Sequence, residues 1–143
     1  MGRLDQLFST LRTSASGLAA ERVRVGVIAE NIAGARITKT PEGGPYRRKV
    51  VVFEPLMRKH GAGESSAVGV RATRIENDTV SPFEDVHDPS HPDADENGNV
   101  RMPNVNPLKE MADMIGSMRS YEANLSAQEN FLRMAQRALD IAR

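Results

Sequence analysis

Two long proline-free segments with narrow apolar seams, one at each end of the chain, limit what this protein can fold into more than any other feature. Residues 4 to 33 contain no proline, and glycine only at Gly17 and Gly26. Apolar side chains recur at Leu4, Leu7 or Phe8, Leu11, Ala15, Leu18, Val25, Ile28 and Ile32. Steps of three and four put such residues on one side of a helix, in a stripe narrower than that of an ordinary globular helix. At about 1.5 Å per residue the segment makes a rod of roughly 45 Å.

The second segment has a clear start. Asn106 is a favoured N-cap, and Pro107 fits the first helical position. Its seam runs Met111, Met114, Met118, Tyr121, Leu125, Leu132, Ala135, Leu139 and Ala142, with Ile115 alongside. Gln128 interrupts this seam, as Arg22 interrupts the first. Neither helix buries enough apolar surface to be stable alone. The economical solution pairs them, antiparallel or nearly so, as a coiled-coil-like core. Ala15, Ala19, Ala20 and Gly26 keep the first helix slim, which allows close approach of its partner or of a neighbouring subunit.

Between the helices lies a segment holding every proline except Pro107. Its strand candidates are Arg47 to Phe53 and Val68 to Ile75, with a short one near Val100. Gly43-Gly44-Pro45 and Gly61-Ala62-Gly63 punctuate it. The expected fold class is therefore mainly α, with an irregular β and loop segment in the middle. The expected division is 1–36, 37–105 and 106–143, the two outer pieces forming one helical core.

Composition excludes several function classes. The 19 basic and 19 acidic residues balance, so no basic footprint for nucleic acid or an anionic membrane is present. There is no cysteine, hence no disulfide, thiolate metal site or cysteine nucleophile. Four Phe, two Tyr and no Trp leave little material for a thick core, which favours burial shared between subunits. No apolar stretch follows the first residues as a secretory signal requires, and no run approaches the roughly 20 residues of a membrane span.

Chemistry finds little support. Asp93-Ala94-Asp95-Glu96-Asn97-Gly98 matches the opening of an EF-hand loop, but position 12 is Asn104 where a bidentate Glu belongs, and Pro89, Pro92 and Pro103 deny it flanking helices. It reads as an Asp/Asn/Gly turn. His87 and His91 have a zinc-like spacing, but Pro89 and Pro92 rule out the regular helix that would align them. No nucleophile elbow, phosphate loop or dinucleotide fingerprint occurs, so no catalytic residue, metal ligand or cofactor is assigned. Arg47-Arg48-Lys49 is basic, while residues 84 to 96 hold six acids and no base, Glu84, Asp85 and Asp88 among them. Those opposed charges are expected to pair between subunits. A soluble adaptor for partner helices and a calcium module are the competing classes.

Two segments go beyond pattern. Ser16-Gly17-Leu18-Ala19-Ala20-Glu21-Arg22, continuing to Val27-Ile28-Ala29-Glu30-Asn31-Ile32-Ala33, resembles the N-terminal signature of the bacterial flagellar rod, hook and hook-associated proteins. Pro103-Asn104-Val105-Asn106, then Glu110-Met111 through Met114-Ile115 to Arg119-Ser120-Tyr121-Glu122-Ala123-Asn124, resembles their C-terminal signature. Thr40 to Lys49, Val51-Val52-Phe53 and Asp88 to Ala94 are similar to the short proximal-rod members. Gly34 departs from the pattern, which has Asn there. The resemblance implies an axial core of paired terminal helices, many subunits stacked into a hollow drive shaft, and an outer β-containing segment. It implies copies of the same chain, other rod proteins, rod-base adaptor and ring proteins as partners. Passage would be through the flagellar type III export apparatus, without a cleaved signal, to a rod that crosses the periplasm and carries torque to the hook.

Overall fold

The computed structural model describes residues 2–59 and 65–141, with the backbone alone at residues 2–8, Thr10 and Lys59. Two long helices bracket two small antiparallel sheets. The first helix, α1, spans Gly2–Gly34, and the second, α2, spans Pro107–Ile141. Between them come β1 (Lys49–Lys59), β2 (Ser65–Asn77), β3 (Glu84–His87) and β4 (Asn99–Met102). β1 pairs with β2, and β3 with β4.

α1 persists because nothing in it breaks a helix until Gly34. Gly34 is needed where it stands. A Cβ there would lie 2.6 Å from the Tyr46 ring, so the ring closes over bare backbone. This is a physical reason for the departure from Asn at that position. The chain then turns through a loop tied by Tyr46 N–H to Ile37 O at 2.9 Å and by Thr40 N–H to Gly44 O at 2.8 Å. Gly43 and Gly44, at φ 92° and 77°, supply the left-handed backbone this loop requires.

The β1–β2 hairpin is longer than its apolar cores suggest. It continues through Pro55 to Lys59 and starts again at Ser65. Register shifts between Val52 and Phe53 and between Leu56 and Met57 mark bulges that bend and twist the ribbon. The bend lays it along α1, where two side chains take main-chain groups of β2. Thr13 Oγ1 donates to Val68 O at 3.0 Å, and Ser16 Oγ accepts from Val70 N–H at 3.1 Å. α1 is thus the central element, with the hairpin on one side and α2 on the other. β3 lies within the acidic run and is exposed along its whole length, so no apolar alternation announces it.

The core is thin. Ala20, Val27, Ile28, Ala35, Val100 and Val105 are the buried apolar residues among those described. The chain exposes 10575 Å², against roughly 7300 Å² for a compact monomer of this size. A pair of long helices exposes more surface than a compact body, and large apolar residues of α2 are among those exposed.

Candidate assembly surface and its polar anchor

Where the helix ends meet the sheets, Asn31, Glu110, Arg48 and Asn104 are assembled with no buried side-chain polar atom left without a partner. Asn31 is 1 % exposed. Its amide nitrogen donates to Lys49 O at 2.9 Å and to Glu110 Oε2 at 3.0 Å. Its oxygen accepts from Lys49 N–H at 2.8 Å and from Tyr46 O–H at 3.1 Å. Four bonds exhaust an asparagine side chain, so this one residue ties α1 to β1, the preceding loop and α2. Burial pushes the Tyr46 phenol above its ordinary range, against the opposing pull of Lys49.

Glu110, also 1 % exposed, takes Arg48 Nε on Oε1 at 2.6 Å. The same guanidinium reaches Asp78 at 3.8 Å and Asp113 at 3.7 Å. Asn104 fastens the other side. Its oxygen accepts from Arg48 N–H at 2.8 Å, and its nitrogen donates to Asp78 O and Ser81 O at 3.2 and 3.0 Å. Asp78 is held below the usual carboxylate range, first by the Ser81 N–H and hydroxyl, then by Val80 N–H and Arg48. Asn106 caps α2 as expected, accepting from Leu108 and Lys109 N–H at 3.0 and 3.1 Å.

A second fixed point lies farther along the helices. A Cβ on Gly17 would stand 3.0 Å from the Asn124 amide, so glycine lets Asn124 approach α1 closely. Gly17 lies 14 residues before Asn31, and Asn124 lies 14 after Glu110. The helices therefore run in opposite directions in one register.

That register fixes which face of α2 points inward. Glu110 and Ser117 are buried, and Met114, Asn124, Gln128, Phe131 and Ala135 are half-buried. With Tyr121, they form a row at steps of four and three that is largely polar or small. The expected seam is thus split. Met114, Tyr121 and Ala135 border α1, and Gln128, its interruption, belongs to this inner row. Met111, Met118, Leu125, Leu132 and Leu139 lie on the next row outward, with Ile115, and are 40 to 70 % exposed. On α1, Ile28 is buried and Leu11, Leu18, Val25 and Ile32 are half-buried. The side chains of Leu4, Leu7 and Phe8, and Ala142, lie outside the described residues.

Two of the exposed rows are opposite in character, while a third, from Ala112 to Asp140 on α2, is also exposed throughout. The outer row of α2 reads Met111, Ile115, Met118, Glu122, Leu125, Glu129, Leu132, Gln136, Leu139, every member exposed. The outer row of α1 reads Arg12, Ala15, Ala19, Arg22, Gly26, Ala29, Ala33, likewise all exposed. Both follow alternating steps of three and four. Val25 and Tyr121 floor a shallow notch of about 250 Å³ between the helices, with Arg22 on one rim and Met118 and Glu122 on the other.

The remaining sequence candidates take roles within the chain. Ser16 holds β2, Pro103 and Val105 are buried at the approach to α2, and Ala33, Glu122 and Ala123 are exposed. The expected pairing of Arg47, Arg48 and Lys49 with acids of a neighbour needs correction for Arg48, whose guanidinium is engaged inside its own chain. Lys49 pairs with Glu30 at 3.0 Å, a bond that raises the lysine above its ordinary pKa. Arg47 stacks on Phe83 at 4.3 Å and donates to Asp78 O. Asp85 pairs with Arg101, and Asp88 accepts from Ser90, while Glu84 is exposed. The half-matched calcium loop is a turn. Asp95 accepts from the N–H groups of Asn97 and Asn99, Gly98 has φ 75°, and Asp93 accepts from Thr38.

Residues 96–141 match the family described as "Flagellar basal body rod FlgEFG protein C-terminal", a stretch that contains the α2 cap and nearly all of that helix. Across almost the full length, the chain is similar to proteins named flagellar basal-body rod protein FlgC. That of Borreliella burgdorferi is 39 % identical, over 94 % of this chain and 97 % of the relative. That of Bacillus subtilis is 40 % identical over 95 % and 98 %, and that of Aquifex aeolicus 44 % identical over 85 % and 86 %.

Proposed function

The chain belongs to the FlgC family of flagellar basal-body rod proteins, and from that premise we propose that it is a structural, non-catalytic subunit of the proximal rod. Its two terminal helices form a coiled-coil-like axial core, and the 37–105 segment lies outside that core. Subunits leave the cytoplasm through the flagellar export apparatus without a cleaved signal. They join other copies of the chain, other rod proteins, and the adaptor and rings at the rod base, in a shaft that crosses the periplasm and carries torque to the hook.

The observation that carries this reading is the outer row of α2. Its large apolar residues run along the whole helix at 40 to 70 % exposure, where a solitary globular domain exposes apolar residues singly. Covering such a row needs another helix of matching period. A contact between unlike faces of successive subunits does not close on itself and builds a tube. The role is mechanical, so what the residues must supply is fit and stiffness.

Deleting the gene in its motile source bacterium tests this. The expected result is loss of swimming, with extracted basal bodies that retain the inner ring but lack rod and hook, restored by the wild-type chain. Complete rods and normal swimming would reject the role and favour a soluble helical adaptor.

A further inference from the structure

The two outer rows are opposites. That of α2 carries bulky apolar side chains and two acids, Glu122 and Glu129, with no base. That of α1 carries alanine, glycine and two arginines, Arg12 and Arg22, with no acid. We propose that the outer row of α2 in one copy docks on the outer row of α1 in a second copy of this chain, bulky residues over small ones and glutamates towards arginines. The proposal rests on the rod reading and specifies which faces meet.

Three observations support the pairing independently. Both rows keep the alternating three-and-four spacing that holds two helices in register over many turns. Gly26, like Gly116 on α2, is unexplained inside the chain, since a Cβ there would meet nothing within 4 Å. Glycine weakens a helix interior, and the closely packed backbone of a neighbour gives it a purpose that the fold does not. The charges are also uncommitted. Arg12, Arg22, Glu122 and Glu129 have no ion-pair partner among the described residues, whereas Glu30, next to the α1 row, is already paired with Lys49.

Like-with-like contacts are disfavoured by the same facts. Two α2 rows face to face would set bulky residue against bulky residue and bring four glutamates together. Two α1 rows would leave arginines opposed and no apolar bulk between the helices. Of these three pairings, the unlike one satisfies shape and charge at once.

The chain has no cysteine, so introduced thiols report on their own positions. Two differently tagged copies are produced together in the source bacterium lacking its own gene, one with Ala19→Cys or Gly26→Cys, the other with Leu125→Cys or Leu132→Cys. Basal bodies are isolated and oxidised. Crosslinks between the two tags are expected for row pairs, and not when Thr73→Cys on the hairpin replaces the α1 thiol. Normal rods that contain both tagged chains, with row pairs no more crosslinked than the Thr73 control, would overturn the pairing and leave the rod reading standing. Absence of the chain from rods would overturn both. As a second readout, Glu122→Arg with Glu129→Arg should abolish swimming, and adding Arg12→Glu with Arg22→Glu should restore much of it. Unchanged swimming in the first variant contradicts the proposal.

Discussion

The junction around Asn31 and the outer row of α2 invert the usual arrangement of a globular protein. At the junction the buried groups are polar, and Asn31, Glu110, Arg48 and Asn104 satisfy one another within a single chain. Along α2 the apolar groups are the exposed ones, from Met111 to Leu139. One region is complete in the monomer, and the other is complete only with a neighbour. A buried polar network specifies one geometry because each misplacement leaves a donor or acceptor unpaired. An apolar row tolerates small shifts and gains by burial alone. On the reading proposed above, the junction sets the angle and register at which each subunit presents its rows, and the rows supply the association.

The sharpest way to break this contrast is Glu110→Ala. It leaves one donor of Asn31 unpaired and takes from Arg48 its shortest partner, with Asp78 and Asp113 still near, so the expected loss is about 3 kcal/mol, the low end for removing one partner of a buried pair. Urea unfolding of the purified chain measures it. A loss no greater than at an exposed site would mean that the junction does not govern the fold.

Gly34→Ala comes next. Its Cβ would enter the Tyr46 ring, and overpacking of this kind costs about 1–3 kcal/mol. Tyr46→Ala in the same chain removes the obstacle, so the double variant should lose less than the sum of the single ones. Strict additivity would contradict the contact. Asn106→Ala removes the cap of α2 and should cost about 1 kcal/mol, read as a lower thermal midpoint.

Acid provides a gentler probe. The Asp78 carboxyl titrates below its unfolded value. Its contribution is therefore full above the ordinary carboxylate pKa, about 3.9, and is lost as pH falls through the lower folded value. Thermal midpoints of the wild type should drop more steeply than those of Asp78→Asn as pH falls below about 4. Parallel curves would remove Asp78 from the account. The smallest effect on stability is expected on the other side of the comparison. Met118→Ser, Leu125→Ser and Leu132→Ser should each change unfolding by no more than about 0.5 kcal/mol.

The helical ends were legible because three-and-four periodicity survives in both. What periodicity could not reveal was which row faces inward. The inner face of α2 alternates Glu110, Ser117, Asn124 and Gln128 with Met114, Tyr121, Phe131 and Ala135, and a reading weighted towards apolar residues draws part of the seam one row outward. Gln128 and Arg22, which look like defects in a single seam, sit on an inner and an outer row respectively. Val50 to Phe53 revealed the hairpin, but its extension past Pro55 depends on partner strand and α1, which local propensity does not encode. β3 was hidden in an acidic run because pairing with β4, not side-chain preference, holds it. Asn31 and Asn104 stood out only through a family pattern. Their bonding to Glu110, Arg48 and Asp78 spans up to 79 positions of sequence, a distance at which no motif signals contact.

The central claim is that folding and assembly reside in different rows of the same helix. The most direct measurement combines Met118→Ser, Leu125→Ser and Leu132→Ser in one chain, and compares its unfolding curve with its ability to restore basal-body rods in the source bacterium lacking the gene. A chain that unfolds like the wild type yet restores neither rods nor swimming is the predicted result. Rods built normally from that chain, or a chain that no longer folds, would contradict it.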